Sequence, residues 1–353
     1  MTGAEWFASR PGGLNRYFQS LYAALDRRAD IDVTAVAFGS APAGALSWPH
    51  RSSPLPVRVL SSHRHHRGPR GALVDRHFAP YGAGSRAAGG SVDGIIHFQG
   101  PWYAESLAAG QSVWKARLKK AWETGRYRHA SRAVVLCEAF ADILHQDFGY
   151  PRELISVIPP GVDLSHFKAQ PPSQRRRPLV VCVRRLERRM GIDTLLEAWP
   201  RVLEAHPDAE LSIFGDGTAR EELHTLSERL GLQSSVRFHG RVSDEELSDG
   251  YRDARLTVVP TRDLEGFGLI ALESLAVGRP VIVTNVGGLP DAVKDLDSSL
   301  IVPPESPELL ADRLVGGLAG SVPSADDCRA HADRFGWDLI ADRHVALYRE
   351  LGE

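Results

Sequence analysis

Short apolar runs alternate with segments of helical periodicity from residue 179 to residue 318, and this alternation constrains the fold more than any other feature. Strands that alternate with helices of about 10–15 residues indicate an α/β fold, in which helices cover both faces of a parallel sheet. The predicted strands span 179–183, 210–214, 236–238, 256–259, 280–283 and 300–302, and the predicted helices span 192–205, 220–230, 244–253, 268–277, 289–293 and 307–318.

A chain of 353 residues is longer than one ordinary core requires, so we expect two domains. The polar stretch at 166–178, rich in Pro, Gln and Arg, is predicted to be a linker between domain one, 1–165, and domain two, 179–335. The segment 336–353 holds a last helix beyond the sheet. In domain one the sequence predicts strands at 31–38, from 92 onward, at 133–136 and at 155–158, with few regular elements between 39 and 90.

Composition limits the class of protein. The chain is 43% hydrophobic and 24% charged, as in soluble globular proteins. It has neither a membrane-length apolar run nor the apolar centre of a signal peptide in residues 1–30, so we expect a cytoplasmic protein. Cys137, Cys182 and Cys328 are too far apart for a disulfide framework or a zinc site. Residues 1–160 carry 19 basic and 12 acidic side chains, against 23 and 32 in the remainder, which favours an acidic partner for the first half.

The segment 258–280 combines a strand, a polar turn and an apolar helix that carries two carboxylates, Glu265 and Glu273. Eight helical residues turn about 80° past two full turns, so both acids are predicted to lie near one face. Glu265 is expected just before or at the helix start, where free amides and the helix dipole attract an anion. The segment therefore predicts an anion site, with a phosphate as one occupant.

Four arginines lie between residues 184 and 189, directly after the first strand of domain two and before a helix. Arginines at the carboxyl end of a strand, beside a helix N-terminus, suit a diphosphate because they donate paired hydrogen bonds to it. The chain lacks a dinucleotide-binding glycine motif, a Walker lysine loop and a Ser-His-Asp order, which argues against redox and ATPase functions.

Two features of domain one each leave two interpretations open. Gly12-Gly13 precedes a helix and either admits a ligand close to the backbone or forms a simple tight turn. His97 lies near the end of a strand, where ligands of parallel sheets gather, but a lone histidine more often only packs.

Two basic segments are also ambiguous. The helix at 114–128 has Trp114, Leu118 and Trp122 on one face and lysines elsewhere. It packs that apolar face on the sheet, lies weakly on a membrane surface or meets an anionic acceptor. The histidines of 63–66 are interleaved with arginine, which repels cations, so a solvated loop is favoured over a metal site.

Six ordered motifs in this chain resemble those of retaining glycosyltransferases of family 4. Their residues are 157–163, 183–191, 213–217, 236–242, 265–273 with its Glu-x7-Glu pattern, and 278–290. The resemblance implies the GT-B fold: two Rossmann-like domains whose parallel sheets face each other across a cleft, with the helix in 336–353 crossing back toward domain one. It implies hexosyl transfer from a nucleotide-diphosphate sugar to an acceptor hydroxyl, with retention and without a metal or other cofactor.

The resemblance also implies a role for each matching residue. Glu273 would bind the ribose hydroxyls and Arg185 the diphosphate, and His97 would face the reacting sugar. Glu265 would hold the donor sugar, and with Arg185 and His97 it makes up the expected catalytic set. The other implied donor-binding residues are Gly12, Gly13, Arg184, Arg189, Met190, Arg241, Val242, Gly266, Phe267, Gly268 and Leu269.

Two departures from the family pattern stand out. Met190 occupies the position of the usual lysine, so Arg184, Arg188 or Arg189 would have to supply the missing charge. The first strand, near Met1, is short.

The alternatives to a glycosyltransferase are a nucleotide-sugar epimerase or phosphorylase on the same fold, or a non-catalytic sugar-nucleotide-binding protein. We expect no nucleic-acid partner, a role in secondary-metabolite or cell-envelope biosynthesis, and a cytoplasmic location, with attachment to the inner face of the membrane as a variant.

Overall fold

The computed structural model describes residues 1–10, 12–65, 72–82, 94–108, 110–169, 171 and 177–352. The chain forms two compact units. Unit 1 comprises Met1–Gly161 and Trp337–Glu353, and unit 2 comprises Val162–Gly336. Part of the linker predicted at 166–178, namely residue 170 and residues 172–176, lies outside the described residues, as do His66 and residues 83–93.

Unit 1 contains a parallel sheet of seven short strands in the order β3-β2-β1-β4-β5-β6-β7. All neighbouring strands run in the same direction, so their carboxyl ends share one edge of the sheet. The strands are β1 (Thr2–Glu5), β2 (Val36–Phe38), β3 (Leu46–Trp48), β4 (Val74–Arg76), β5 (Gly94–Phe98), β6 (Arg132–Val135) and β7 (Ile155–Val157).

The first half holds more regular structure than its sequence predicts. The stretch 39–90 contains β3, β4 and a helix, whereas the strand predicted at 31–38 is shortened to β2. The strand is shorter than predicted because its hydrogen-bonded pairing with β1 extends only from Thr2 opposite Val36 to Glu5 opposite Phe38. The helices are α1 (Gly13–Asp26), α2 (Leu55–His65), α3 (Trp102–Ala108), α4 (Val113–Tyr127) and α5 (Glu138–Phe148).

Unit 2 contains a six-stranded parallel sheet in the order β10-β9-β8-β11-β12-β13. Its central strands are almost wholly buried, as expected when helices cover both faces. The alternation predicted for residues 179–318 is confirmed, with most ends shifted by at most two residues. The strands are β8 (Leu179–Val183), β9 (Glu210–Phe214), β10 (Val236–Gly240), β11 (Leu256–Val259), β12 (Val281–Thr284) and β13 (Ile301–Val302).

The described residues of unit 2 form seven α-helices. Two of these helices begin with a capping box, at Ser243 with Glu246 and at Ser324 with Asp327. In a capping box the two residues exchange side-chain and backbone hydrogen bonds and so satisfy free amides. The helices are α6 (Ile192–Ala205), α7 (Arg220–Arg229), α8 (Asp244–Asp253), α9 (Leu269–Ala276), α10 (Leu289–Val293), α11 (Pro307–Leu318) and α12 (Ala325–Asp333). In the described part of the chain no helix is both long and apolar enough to cross a membrane.

The last helix, α13 (Trp337–Gly352), lies in unit 1 and packs against α1. Ile340 and Val345 of α13 are buried in one apolar cluster with Leu21 and Leu25 of α1. At the surface, Arg28 forms an ion pair with Asp342. Burial of apolar side chains along one stripe therefore holds α13 to the unit formed by the first half of the chain.

We predict that Ile340→Ala destabilises the protein, because Ile340 is fully buried and its truncation leaves a cavity. The expected loss is about 2–4 kcal/mol in the free energy of unfolding, measured by urea denaturation. Leu339→Ala is the matched control, since Leu339 is 50% exposed and should change stability by less than about 0.5 kcal/mol. Equal effects of both substitutions would contradict this packing.

Candidate functional site

Two consecutive arginines at the carboxyl end of β8 have different environments. Arg184 is buried, and its Nη2 contacts the carboxylate of Glu265 and the hydroxyl of Thr261. Arg185 is exposed, and its guanidinium forms no hydrogen bond or ion pair with a described residue. Arg184 therefore organises the protein, whereas Arg185 is available to a ligand.

The residues from Arg188 to Met190 also differ in their contacts and burial. Arg188 forms an ion pair with Glu222, with 3.1 Å between Nη2 and Oε2. Arg189 Nη1 donates to the backbone carbonyl of Leu264 over 2.9 Å. Met190 is only 4% exposed, so this predicted donor-binding side chain offers almost no surface to a ligand in this structure.

The loop before α9 is held by close backbone contacts. Leu264 has a positive φ of 55°, a conformation that costs energy for a residue with a branched side chain, and Arg189 binds its carbonyl. The Gly288 amide donates to the Glu265 carbonyl over 3.1 Å. A Cβ atom at Gly287 would lie 1.9 Å from that same carbonyl oxygen, so only glycine fits there. These contacts fix the position of Glu265.

The two carboxylates of the Glu-x7-Glu motif do not share one helix. Helix α9 begins at Leu269 after Gly268, which has a φ of 83°, and Glu265 therefore lies in the preceding loop. The prediction that both acids lie on one helical face is wrong, because residues 265–268 are not helical. Glu273 is within α9, 6% exposed, and accepts a hydrogen bond of 3.1 Å from the Tyr251 hydroxyl.

The start of α9 has the backbone features on which the anion-site prediction rests. The first amides of any α-helix lack an acceptor within the helix, and the helix dipole adds positive potential there. These amides follow Gly266 and Phe267 and belong to the same loop as Glu265. The structure thus brings Arg184, Glu265 and the start of α9 together in unit 2.

Arg241 and Val242 lie in the turn between β10 and α8. Arg241 is exposed and Val242 is half-buried, and the turn opens at Gly240 with a φ of 71°. In unit 1, Gly12 lies directly before α1 and Gly13 is the first residue of that helix, and both are exposed. A Cβ atom at Gly12 would meet no atom within 4 Å, so this backbone is open to approach.

His97 is not placed to contact a sugar in this structure. Its side chain has 0% exposure, and its Nε2 lies 2.9 Å from Asp75 Oδ1. On the other side its Nδ1 is 3.3 Å from the Tyr17 hydroxyl, and its ring stacks on His77 at 3.7 Å. The expectation that His97 faces the reacting sugar is therefore corrected, because other side chains enclose it.

His97 belongs to a buried polar network that joins three parts of unit 1. Asp75 accepts a hydrogen bond of 2.6 Å from the Tyr348 hydroxyl, and Tyr17 contacts His344 at 3.3 Å. Burial alone would raise the pKa of Asp75. The neighbouring rings of His97 and then His77 stabilise its carboxylate more strongly, so this pKa lies well below its usual range. The network compensates a buried carboxylate and ties α13 to β4 and β5.

The same residues raise the question of a metal ion, since Asp75, His77 and His97 each offer a ligand atom within 4.8 Å of the others. The rings of His77 and His97 are stacked at 3.7 Å with only 18° between their planes. An imidazole binds a metal in its ring plane, and two such planes do not converge on one ion. The arrangement suits a hydrogen-bonded and stacked network.

Two groups at the carboxyl ends of the strands in unit 1 were missed by the sequence analysis. Gln99 directly follows β5, and its amide nitrogen is buried without a hydrogen-bond acceptor among the described residues. Glu5 ends β1 and is within 3.4 Å of three arginines, Arg10, Arg51 and Arg58. The strand-end rule applied to His97 also covered Gln99. Two of the arginines around Glu5, Arg51 and Arg58, are too distant in sequence to be recognised as its partners.

Two family models match the chain in succession. The model described as Glycosyltransferase Family 4 matches residues 11–166, and the model described as Glycosyl transferases group 1 matches residues 165–332. The chain belongs to glycosyltransferase family 4. The membership confirms the resemblance to family 4 that the six motifs indicated.

Curated relatives of this family 4 chain include a D-inositol 3-phosphate glycosyltransferase of Streptomyces bingchenggensis, 34% identical over 242 residues. The match covers 63% of this chain and 53% of the relative. A protein of the same name from Thermobispora bispora is 35% identical over 251 residues, covering 64% and 57%. The chain thus spans about half the length of the curated relatives it matches.

Solved structures establish the fold. Sucrose-phosphate synthase from Thermosynechococcus elongatus aligns with a TM-score of 0.75 at 22% identity, over 96% of this chain and 94% of that one. HepE from Anabaena, solved with UDP-glucose, aligns with a TM-score of 0.74 at 18% identity, over 99% of both chains. Together with the two parallel Rossmann-like sheets, these similarities confirm the predicted GT-B fold class.

We predict that acid weakens unit 1 between about pH 6.5 and pH 4. Burial, followed by the charge of His97, lowers the pKa of His77 to about 4, and the same two causes hold the pKa of His344 well below its usual value. The unfolded chain therefore binds more protons in this window, so stability is present above pH 6.5 and is lost as the pH falls. The Asp75 contribution is lost only below this window, because the pKa of Asp75 is lowered.

Urea denaturation at pH 7 and pH 5 measures this effect. His77 alone should account for about 2 kcal/mol of the lost free energy of unfolding. His77→Gln should remove that share of the pH dependence, whereas the exposed His129 can be replaced by Gln as a matched control without effect. An unchanged pH dependence in His77→Gln would contradict the neutral buried state of His77.

Proposed function

We propose that this chain transfers a hexose from a nucleotide-diphosphate sugar to an acceptor hydroxyl, with retention of anomeric configuration and without a metal ion. This proposal rests on the different environments of the two arginines at the end of β8. Arg184 is buried on Glu265, and its neighbour Arg185 is exposed and unpaired among the described residues. A free arginine beside a helix N-terminus suits a diphosphate that gains charge as it leaves.

The donor would be bound mainly by unit 2. Glu273 would accept hydrogen bonds from the ribose hydroxyls, and its partner Tyr251 would orient it. Glu265 and the amides at Phe267, Gly268 and Leu269 would hold the sugar and the β-phosphate. The turn at Arg241 would contact the base. HepE, which shares the fold, was solved with UDP-glucose, and this supports the donor class without identifying the nucleotide or sugar.

Retention follows from attack on the face from which the leaving group departs. The acceptor oxygen forms a bond to the anomeric carbon as the bond to the β-phosphate oxygen breaks, and an oxygen of the leaving diphosphate takes the acceptor proton. Catalysis then consists of positioning and of stabilising charge on the diphosphate, for which Arg185 and the first amides of α9 are suited. His97 has no direct part in this mechanism, because it is enclosed.

We propose an acceptor that carries an anionic group. Three arginines surround the single carboxylate of Glu5 at the carboxyl end of β1, which leaves net positive charge at the ligand-binding edge of the sheet. Arg10 is 71% exposed and Arg51 is 47% exposed, so both can meet a ligand. The curated relatives are named for transfer involving D-inositol 3-phosphate, a phosphorylated polyol, which is consistent with such an acceptor.

A turnover assay distinguishes this proposal from its rivals. UDP-, GDP- and dTDP-sugars are screened by thermal shift, and release of the nucleotide diphosphate is then measured with acceptor mixtures analysed by mass spectrometry. Release that depends on acceptor supports the transferase, and the anomeric configuration of the product tests retention. Donor conversion without acceptor indicates an epimerase, dependence on free phosphate indicates a phosphorylase, and binding without turnover indicates a non-catalytic protein. Full activity in excess EDTA is expected.

We predict that Arg185→Ala lowers kcat by about 10- to 1000-fold, because it removes charge stabilisation from the leaving diphosphate. Stability should be unchanged, since the side chain is exposed and forms no hydrogen bond or ion pair with the described residues. Arg201→Ala is the matched control: Arg201 is 53% exposed and pairs only with Asp312 among the described residues. Near-normal turnover in Arg185→Ala would overturn its assigned role.

We also predict that Gln99→Ala lowers turnover by about tenfold or more, because Gln99 is only half-buried at a strand end and its amide nitrogen has no acceptor among the described residues, so substrate can supply one. Gln146→Ala, an exposed change on α5, is the control and should leave turnover intact. Turnover equal to wild type in Gln99→Ala would show that the amide makes no substrate contact.

A further inference from the structure

Helix α4 packs on the rest of unit 1 with the side opposite to its apolar stripe. The residues that it buries are Ala116, Glu123 and Tyr127. The apolar side chains that one interpretation placed against the sheet point outward instead: Trp114 is 61% exposed and Leu118 is 62% exposed. The interpretation of this helix as an ordinary core helix is therefore wrong.

Exposed apolar side chains lie on α4 and on the adjacent α3. Positions 114, 118 and 122 follow each other at intervals of four residues, so they lie along one side of the helix. Trp122 is 36% exposed, Val113 at the start of α4 is 59% exposed, and Leu107 on the adjacent α3 is 39% exposed. We call Trp114, Leu118 and Trp122, with Val113 and Leu107, the α4 apolar face.

The flanks of this face are basic. Between residues 113 and 128 the chain has six basic side chains, at 115, 117, 119, 120, 126 and 128, and one acid, Glu123. Glu123 is buried, and its carboxylate accepts hydrogen bonds of 3.2 Å from the amides of Trp102 and Tyr103. The helix therefore presents no acidic side chain of its own to solvent.

The lysines are arranged as at a water–lipid interface. Lys119 lies over the Trp102 ring at 4.4 Å, and Lys115 lies 5.6 Å from the Trp114 ring. Arg117 and Arg128 are exposed beside the apolar face. Tryptophan at the level of lipid headgroups, aliphatic side chains below them and cations toward the phosphates form the pattern of a helix that lies in a membrane surface.

We propose that the α4 apolar face docks on an anionic lipid bilayer, with the helix axis parallel to the membrane surface. Charge complementarity selects this occupant. A second copy of the chain would bring two basic helices together, and like charges repel. A nucleic acid would use the cations but would leave aliphatic Val113, Leu107 and Leu118 without an apolar environment. Docking is independent of the sugar-transfer proposal, because it uses none of the residues assigned to transfer.

Vesicle co-sedimentation of the full chain tests the proposal. Wild-type protein should bind vesicles of phosphatidylcholine mixed with phosphatidylglycerol, and bind pure phosphatidylcholine at least about tenfold more weakly, with binding to the mixed vesicles reduced by high salt. Replacing both Trp114 and Leu118 by Ala should weaken binding to mixed vesicles by about tenfold or more. Replacing Lys115 and Arg117 by Gln should weaken it in the same vesicles but not in pure phosphatidylcholine.

The control replaces Leu309 and Leu339 by Ala, two leucines that are each 50% exposed outside α4. This variant should bind like wild type, and all variants should keep the wild-type melting temperature. Turnover of donor with a water-soluble acceptor should be unchanged in the α4 variants, which separates a failure of docking from a failure of the proposed transfer. Wild type that does not bind mixed vesicles, or α4 variants that bind as well as wild type, would overturn the proposal.

Two further measurements examine the rejected occupants. Fluorescence anisotropy with single-stranded RNA and analytical ultracentrifugation of the chain alone use the same set of variants. RNA binding that exceeds lipid binding and is lost with Trp114 and Leu118 would replace the bilayer with a nucleic acid. Self-association that disappears in the same variant would replace it with a second copy.

Discussion

The buried contact between Arg184 and Glu265 is the interaction on which the candidate site depends. A charge withdrawn from water is costly unless a partner of opposite sign lies against it, so each of these side chains requires the other. Their contact joins the carboxyl end of β8 to the loop before α9. Because Arg184 is committed to this contact, the exposed Arg185 is the arginine left for a ligand.

A second buried charge organises unit 1 in a different way. Asp75 contacts His97 of β5 and His77, which follows β4, and it accepts a hydrogen bond from Tyr348 of α13. The need to compensate the buried charge of Asp75 explains why His97 is enclosed. The polar group that remains at the end of β5 is Gln99. Because His97 compensates the carboxylate of Asp75, it is not available to a ligand, whereas Gln99 is still a candidate ligand-binding residue.

The sequence predicted unit 2 well and unit 1 less well for a physical reason. In unit 2 most strands have four or five residues and most helices have eight or more, so hydrophobic periodicity is visible. In unit 1, β2, β3 and β4 have three residues each, too few for a period of two to be recognised. The faces of α4 show a further limit, because a helical pattern reveals an apolar stripe but not whether anything packs on it.

The sequence by itself determined the order of strands and helices in the second half, the positions of the arginine cluster and of Glu265 and Glu273, and membership of a family. These properties depend on residue types at short spacings. Only the tertiary structure decided that Arg184 is buried while Arg185 is free, that His97 is enclosed, and that the apolar side of α4 is exposed. Each of these depends on which distant segments pack against a side chain, since packing sets both its solvation and its charge environment.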